Sequence, residues 1–138
     1  MIAHSDWKDG KLYEGTAENG NVILFDADPA HGHGPSPMEA VLMALCACTS
    51  VDVVAILQKK RQPLSGLRVT ANATQADAPP KVFTHIQLIY TVKGLMSRKA
   101  VEDAIALSKN KYCSVSKMLE KSVTIDYEIV FLDGATEP

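Results

Sequence analysis

The residues best equipped for covalent chemistry are three cysteines. Cys46 and Cys48 stand one residue apart in SPMEAVLMALCACTSVD (36–52), and Cys113 lies in NKYCSVSKML (110–119). A thiolate can attack an electrophile, bind a metal or join a disulfide, and which of these is open depends on geometry and local charge. If 36–60 is helical, successive residues turn by about 100°, so Cys46 and Cys48 point about 200° apart. Facing opposite sides of one helix, they can neither bridge each other nor clip a metal between them. Each thiol is therefore judged singly, against the ordinary role of a free cysteine as a small buried hydrophobe. Cys113 precedes a short helical pattern and has Lys109, Lys111 and Lys117 nearby, all of which favour a thiolate. Cys48 has Asp52 one turn on, which disfavours one. Local electrostatics alone thus nominates Cys113.

His31 and His33, close to Asp26 and Asp28, are the other candidate group. Their spacing in a Gly/Pro loop is not specific to any metal and no third ligand is evident, so no metal is expected. Should the loop cover Cys48, its histidines could move protons there. His85 falls on the outward alternation of a strand, and Met38, Met43 and Met118 read as core filler. The chain contains no GxSxG, HExxH, CxxC or glycine-rich phosphate loop, and no cofactor is expected.

The elements that must carry these residues are legible. Asp9-Gly10 and Asn19-Gly20 are hairpin-turn dipeptides, which predicts an antiparallel meander over the first 26 residues. Ser36, Pro37 and Glu39 form a capping box that starts a helix running to about Lys60, where Lys59, Lys60 and Arg61 suit its negative end. Strands are predicted at 67–75 and 82–92, a helix from Ser97 to Asn110, a short one from Ser114 to Lys121, and a last strand over VTIDYEIVF. The order βββ-α-ββ-αα-β is α+β with antiparallel sheet, in a single domain over 1–138. The first helix is apolar nearly all round, more than one sheet face can cover, which predicts a dimer packed through it.

Bulk properties narrow the function. Apolar residues make up 46% and charged residues 22%, with a net charge of −2, so the basic surplus that phosphate binding needs is missing and nucleic acid is not an expected partner. No basic amphipathic run points to a membrane surface, and Asp52 interrupts the apolar stretch that starts at Ala40, arguing against a membrane span. The N-terminus, MIAHSDWKDG, lacks the features of a signal peptide, and three cysteines do not make a disulfide scaffold; a cytoplasmic location is expected.

Together, SPMEAVLMALCACTSVDVV and the later KYCSVSKMLEK resemble the OsmC/Ohr family of osmotically inducible and organic-hydroperoxide-resistance proteins, and within it the YhfA-like branch. The resemblance runs through almost the whole chain. It implies an OsmC-like fold: an intertwined α+β homodimer with long central helices at the interface. It also implies a cysteine-dependent peroxidase that takes an organic hydroperoxide and a dithiol reductant. Residue by residue, the attacking cysteine is placed at Cys48, followed by Thr49, and the resolving one at Cys113, with Cys46 structural. A sulfenate at Cys48 captured by Cys113 is sound oxidation chemistry.

Two positions depart from the peroxidase pattern. Met38 stands where those branches have glutamate, and no arginine precedes Arg61. Glu39, one place further on, is nine residues from Cys48, about 180° around a helix, and is expected to serve the cap. Glu39, His31 and His33 are the possible supporting residues. The alternative from the binding class keeps the fold and drops the catalysis, with a small apolar ligand held at the subunit interface.

Overall fold

A computed structural model describes residues 1–136. Its backbone groups into two compact units, Met1–Met43 and the chain from Ala44 onward.

In the first unit, β1 (Ala3–Asp9), β2 (Leu12–Ala17) and β3 (Val22–Asp26) form a three-stranded antiparallel sheet in the order β1-β2-β3. The two turns sit where the dipeptides place them, with Gly10 and Gly20 at φ +52° and +93°, a region in which a side chain would be strained. The start of α1 (Pro37–Lys59) is fixed by reciprocal bonds of the capping box. The Ser36 N–H donates to Glu39 Oε1 at 2.9 Å, and the Glu39 N–H donates to Ser36 Oγ at 3.1 Å.

The second unit is built on β4 (Gly66–Gln75), β5 (Phe83–Lys93) and β7 (Thr124–Phe131), in the order β4-β5-β7. The β4–β5 pair is the expected antiparallel hairpin, but β5 and β7 run parallel, so the sheet is mixed rather than wholly antiparallel. Between those strands the chain passes through two helices, and a crossover of that length brings it back in the same direction. A further parallel pair joins β6 (Met96–Ser97) to β8 (Ala135–Thr136).

Along β5 the alternation is strict: Ile86, Leu88, Tyr90 and Val92 are fully buried. Leu45, Thr49, Val53 and Leu57 form the buried stripe of α1, at the four-residue spacing of one helix face. Helix α2 (Arg98–Leu107) adds Val101, Ala104 and Ile105, and Ser97 caps it by accepting the Ala100 N–H. Each fully buried leucine of this core contributes about 1.5–3 kcal/mol through removal of its side chain from water.

Helix α1 is long and apolar enough to cross a membrane, yet here one of its faces belongs to the chain's own core. Another face stays uncovered in the single chain, with Met43 55% and Val51 68% exposed and Ala47 and Ala55 also exposed. Met43 is therefore a surface residue of the single chain and not core filler, because the stripe that turns inward is the one led by Leu45, and Met118 is exposed as well.

Candidate functional site: a thiol pair beside a buried hydroxyl chain

The predicted second helix does not run regularly to Asn110. After Leu107 it widens into a π-helical turn, Ser108–Tyr112, closed when the Cys113 N–H donates to the Ser108 carbonyl at 2.8 Å. Single π turns of this kind recur at functional sites because they re-aim the residues that follow. Cys113 then becomes the N-cap of α3 (Ser114–Leu119): its Sγ accepts the Ser116 N–H at 3.4 Å, and Ser116 Oγ donates to the Cys113 carbonyl at 3.1 Å.

The Cys113 side chain is fully buried, and its thiol has the Cys48 thiol as a close neighbour. Cys48 itself is half-buried. Burial pushes the Cys113 thiol up, the Ser116 contacts pull it down, and the adjoining Cys48 adds to the rise, so the net shift is upward. That reverses the expectation from local charges. The three lysines are engaged elsewhere: Lys109 Nζ donates to the Ile125 carbonyl and lies over the Tyr127 ring, Lys111 lies over Tyr112, and Lys117 pairs with Glu120. Loss of water around the sulfur outweighs the remaining helix amides.

Cys46 has different surroundings. Burial raises its thiol, and a backbone contact with Ala71 on β4 opposes the rise. The two cysteines of the CxC thus meet different elements, as the helical rotation between them requires, and all three are free thiols.

Beside the thiol pair runs a chain of hydrogen bonds that the sequence did not disclose. Ser108 Oγ donates to Asp52 Oδ2 at 2.9 Å. With that proton committed, Ser108 accepts from Thr49 Oγ1 at 2.8 Å, and Thr49 in turn accepts from the Tyr90 hydroxyl at 2.7 Å. Tyr90, Thr49 and Ser108 are all fully buried, and the chain ends at the half-buried Asp52. Burial drives the Tyr90 phenol up to about 12, against the pull of Thr49 and with help from the nearby Cys113 and Cys46. Asp52 thus spends its carboxylate on Ser108. One signal for this chain was available: a tyrosine on the buried alternation of β5 must find a partner for its hydroxyl.

His31, His33 and Glu39 gather in the first unit around Asp26 and the start of α1. Asp26 is only 2% exposed. Its carboxylate accepts the backbone N–H of Asp28 at 2.9 Å and that of His33 at 3.1 Å, together with His33 Nδ1 at 3.3 Å. The Asp28 bond is the largest of the contacts that hold its carboxyl below the usual range, outweighing desolvation. His31 Nδ1 donates to the Asp26 carbonyl at 2.9 Å, and its Nε2 stands 3.9 Å from Glu39 Oε1. Among the described residues no group of three ligands capable of holding a metal occurs. His85, half-buried at the sheet surface, pairs with Asp126 at 2.6 Å.

A mixed α+β sheet packed on one long apolar helix, with a helix-borne cysteine meeting a second cysteine at a later helix start, defines a class. Residues 30–128 match the family described as OsmC-like protein, and the chain belongs to the OsmC family. Its similarity to Protein YhfA of Escherichia coli K12 is 42% identity over 133 residues, 94% of this chain and 98% of that one. A hypothetical protein from Aquifex aeolicus VF5 has a solved structure at 26% identity and a TM-score of 0.79, covering 96% and 97% of the two chains. An organic hydroperoxide resistance protein OsmC from Legionella pneumophila shares the fold at 18% identity and a TM-score of 0.71, covering 94% and 95%.

Proposed function

We propose that the protein is a cytoplasmic thiol peroxidase, one domain per chain, acting on organic hydroperoxides as a homodimer. The observation that carries this reading is the pairing of Cys48 and Cys113, two thiols from separate elements, one accessible and one fully buried. The Cys48 thiolate attacks the peroxide oxygen. The O–O bond breaks, Cys48 becomes a sulfenic acid and the alkoxide takes a proton to leave as an alcohol. The Cys113 sulfur then attacks the sulfenic sulfur, and its proton leaves with the departing hydroxide as water. An external dithiol reduces the resulting disulfide, regenerating both thiols.

Access orders the two roles. A peroxide can reach a half-buried sulfur, whereas Cys113 meets only what Cys48 carries. Burial, which keeps Cys113 protonated, also spares it from direct oxidation. In this proposal Glu39, His31 and His33 stay outside the reaction, since Glu39 Oε1 is held in the helix cap and the Nδ1 atoms of both histidines are turned to Asp26. The uncovered apolar face of α1 supports a dimer formed through that helix. The Legionella relative of the same fold is an organic hydroperoxide resistance protein, which is consistent with the chemistry.

One observation favours a second reading, in which the protein binds an apolar ligand without turnover. The meander carries an open apolar concavity lined by His4, Gly15, Ala17, Val22, Ile23 and Phe25. Steady-state consumption of cumene hydroperoxide with a dithiol reductant, set beside ligand-induced thermal shifts, separates the two. Turnover that is lost in both Cys48→Ser and Cys113→Ser supports the peroxidase. Thermal shifts without turnover support the binder.

A further inference from the structure

One peptide link and two hydrogen bonds lead from one sulfur-bearing segment to the other. Thr49 directly follows Cys48, its hydroxyl meets the Ser108 hydroxyl at 2.8 Å, and the Ser108 carbonyl receives the Cys113 N–H at 2.8 Å. On its other side Thr49 is tied to β5 through Tyr90. We propose that Thr49 is the positioning residue of the thiol pair, holding the π turn that ends at Cys113 in register with Cys48.

Several observations make the hydroxyl chain more than core filling. Three fully buried residues spend their polar atoms on one another where apolar side chains of the same size would pack without any need for partners. Every member is satisfied, and no buried side-chain polar atom among the described residues lacks a partner. The segment it holds is a π turn, a departure from regular α-helix directly ahead of Cys113. Disulfide geometry, meanwhile, tolerates little error in sulfur placement. A tie from the residue next to one cysteine to the residue that receives the other's N–H lies where such error is controlled.

The inference deepens the reading above, yet positioning can be measured without any peroxide. Thr49→Val keeps the volume and removes the hydroxyl, and Thr49→Ser keeps the hydroxyl. In a dithiothreitol redox buffer, the equilibrium constant for the Cys48–Cys113 disulfide should fall at least about tenfold in Thr49→Val, or about 30 mV for a two-electron couple. Thr49→Ser should stay within about threefold of the parent protein, less than 15 mV or so on the same scale. With cumene hydroperoxide, the rate at which the Cys48 thiol is consumed should be unchanged in Thr49→Val while dimedone capture and sulfinic acid at Cys48 both rise, because resolution and not attack is slowed.

If Thr49→Val fails to fold, Ser108→Ala removes the same bond while keeping Tyr90 paired with Thr49, and the same shifts are expected. A disulfide equilibrium and a sulfinic acid yield equal to those of the parent protein would overturn the proposal. Absence of any sulfenate in the parent protein would instead sink the peroxidase reading and leave the equilibrium result standing.

Discussion

The thiols of Cys48 and Cys113, one half-buried and one with no solvent exposure, are neighbours close enough to raise the Cys113 thiol, although they come from different helical segments. Cys46, one residue from the first of them, is turned to Ala71 instead. This arrangement sets Cys48 apart from the other two cysteines in reactivity. With limiting iodoacetamide at pH 7.5 on the reduced protein, peptide mapping should find Cys48 alkylated first. Cys46 and Cys113, whose thiols burial raises, should follow only as the pH climbs. Labelling of Cys113 ahead of Cys48 would reverse the order of roles.

Tyr90 gives a pH signature. Its folded phenol stands at about 12, above the ordinary value of 10.0, so folding holds the proton more tightly than the unfolded chain does. The resulting stabilisation is fully present below the unfolded value, about pH 10, and is lost as pH rises through the folded one. Denaturation midpoints should therefore decline from about pH 10 upward, and ultraviolet titration should show a late phenolate step that Tyr90→Phe lacks. Tyr90→Phe showing the same alkaline decline and the same late step would refute the assignment.

Glu39 is expected to matter for the helix and not for the reaction. Ser36→Ala removes the cap acceptor of α1 and should cost about 1 kcal/mol in urea denaturation. Glu39→Gln keeps an oxygen for the Ser36 N–H and should leave peroxide turnover within about twofold of the parent protein. A loss of turnover much larger than that, at unchanged stability, would make Glu39 part of the chemistry.

The apolar face of α1 should respond to charge. Val51 is exposed in the single chain, and in the proposed dimer Val51→Glu should shift sedimentation from dimer toward monomer, since a buried unpaired carboxylate at an interface is costly. A dimer unaffected by this change would place the subunit contact elsewhere.

Most of the fold was legible because its signals are local. Asp9-Gly10, Asn19-Gly20, the Ser36–Glu39 box and the alternation of β5 each act over a few residues, and each appears where read. The parallel pairing of β7 was not legible, since strand direction depends on where the two intervening helices return the chain. Nor was the π turn, because the pattern of Arg98–Leu107 continues past Ser108 without a breaker. The candidate site was half legible. Resemblance singled out Cys48 and Cys113, while local charge misjudged Cys113 because the burial that raises its thiol is a tertiary effect. The Tyr90–Thr49–Ser108–Asp52 chain joins three distant stretches of sequence, and no spacing announces it.

The central claim is that Cys48 and Cys113 form the redox couple. The direct measurement is mass-spectrometric disulfide mapping after exposing the reduced protein to a small excess of cumene hydroperoxide. A Cys48–Cys113 disulfide with Cys46 free is the predicted result. Both thiols remaining free, or a disulfide that contains Cys46, would contradict it.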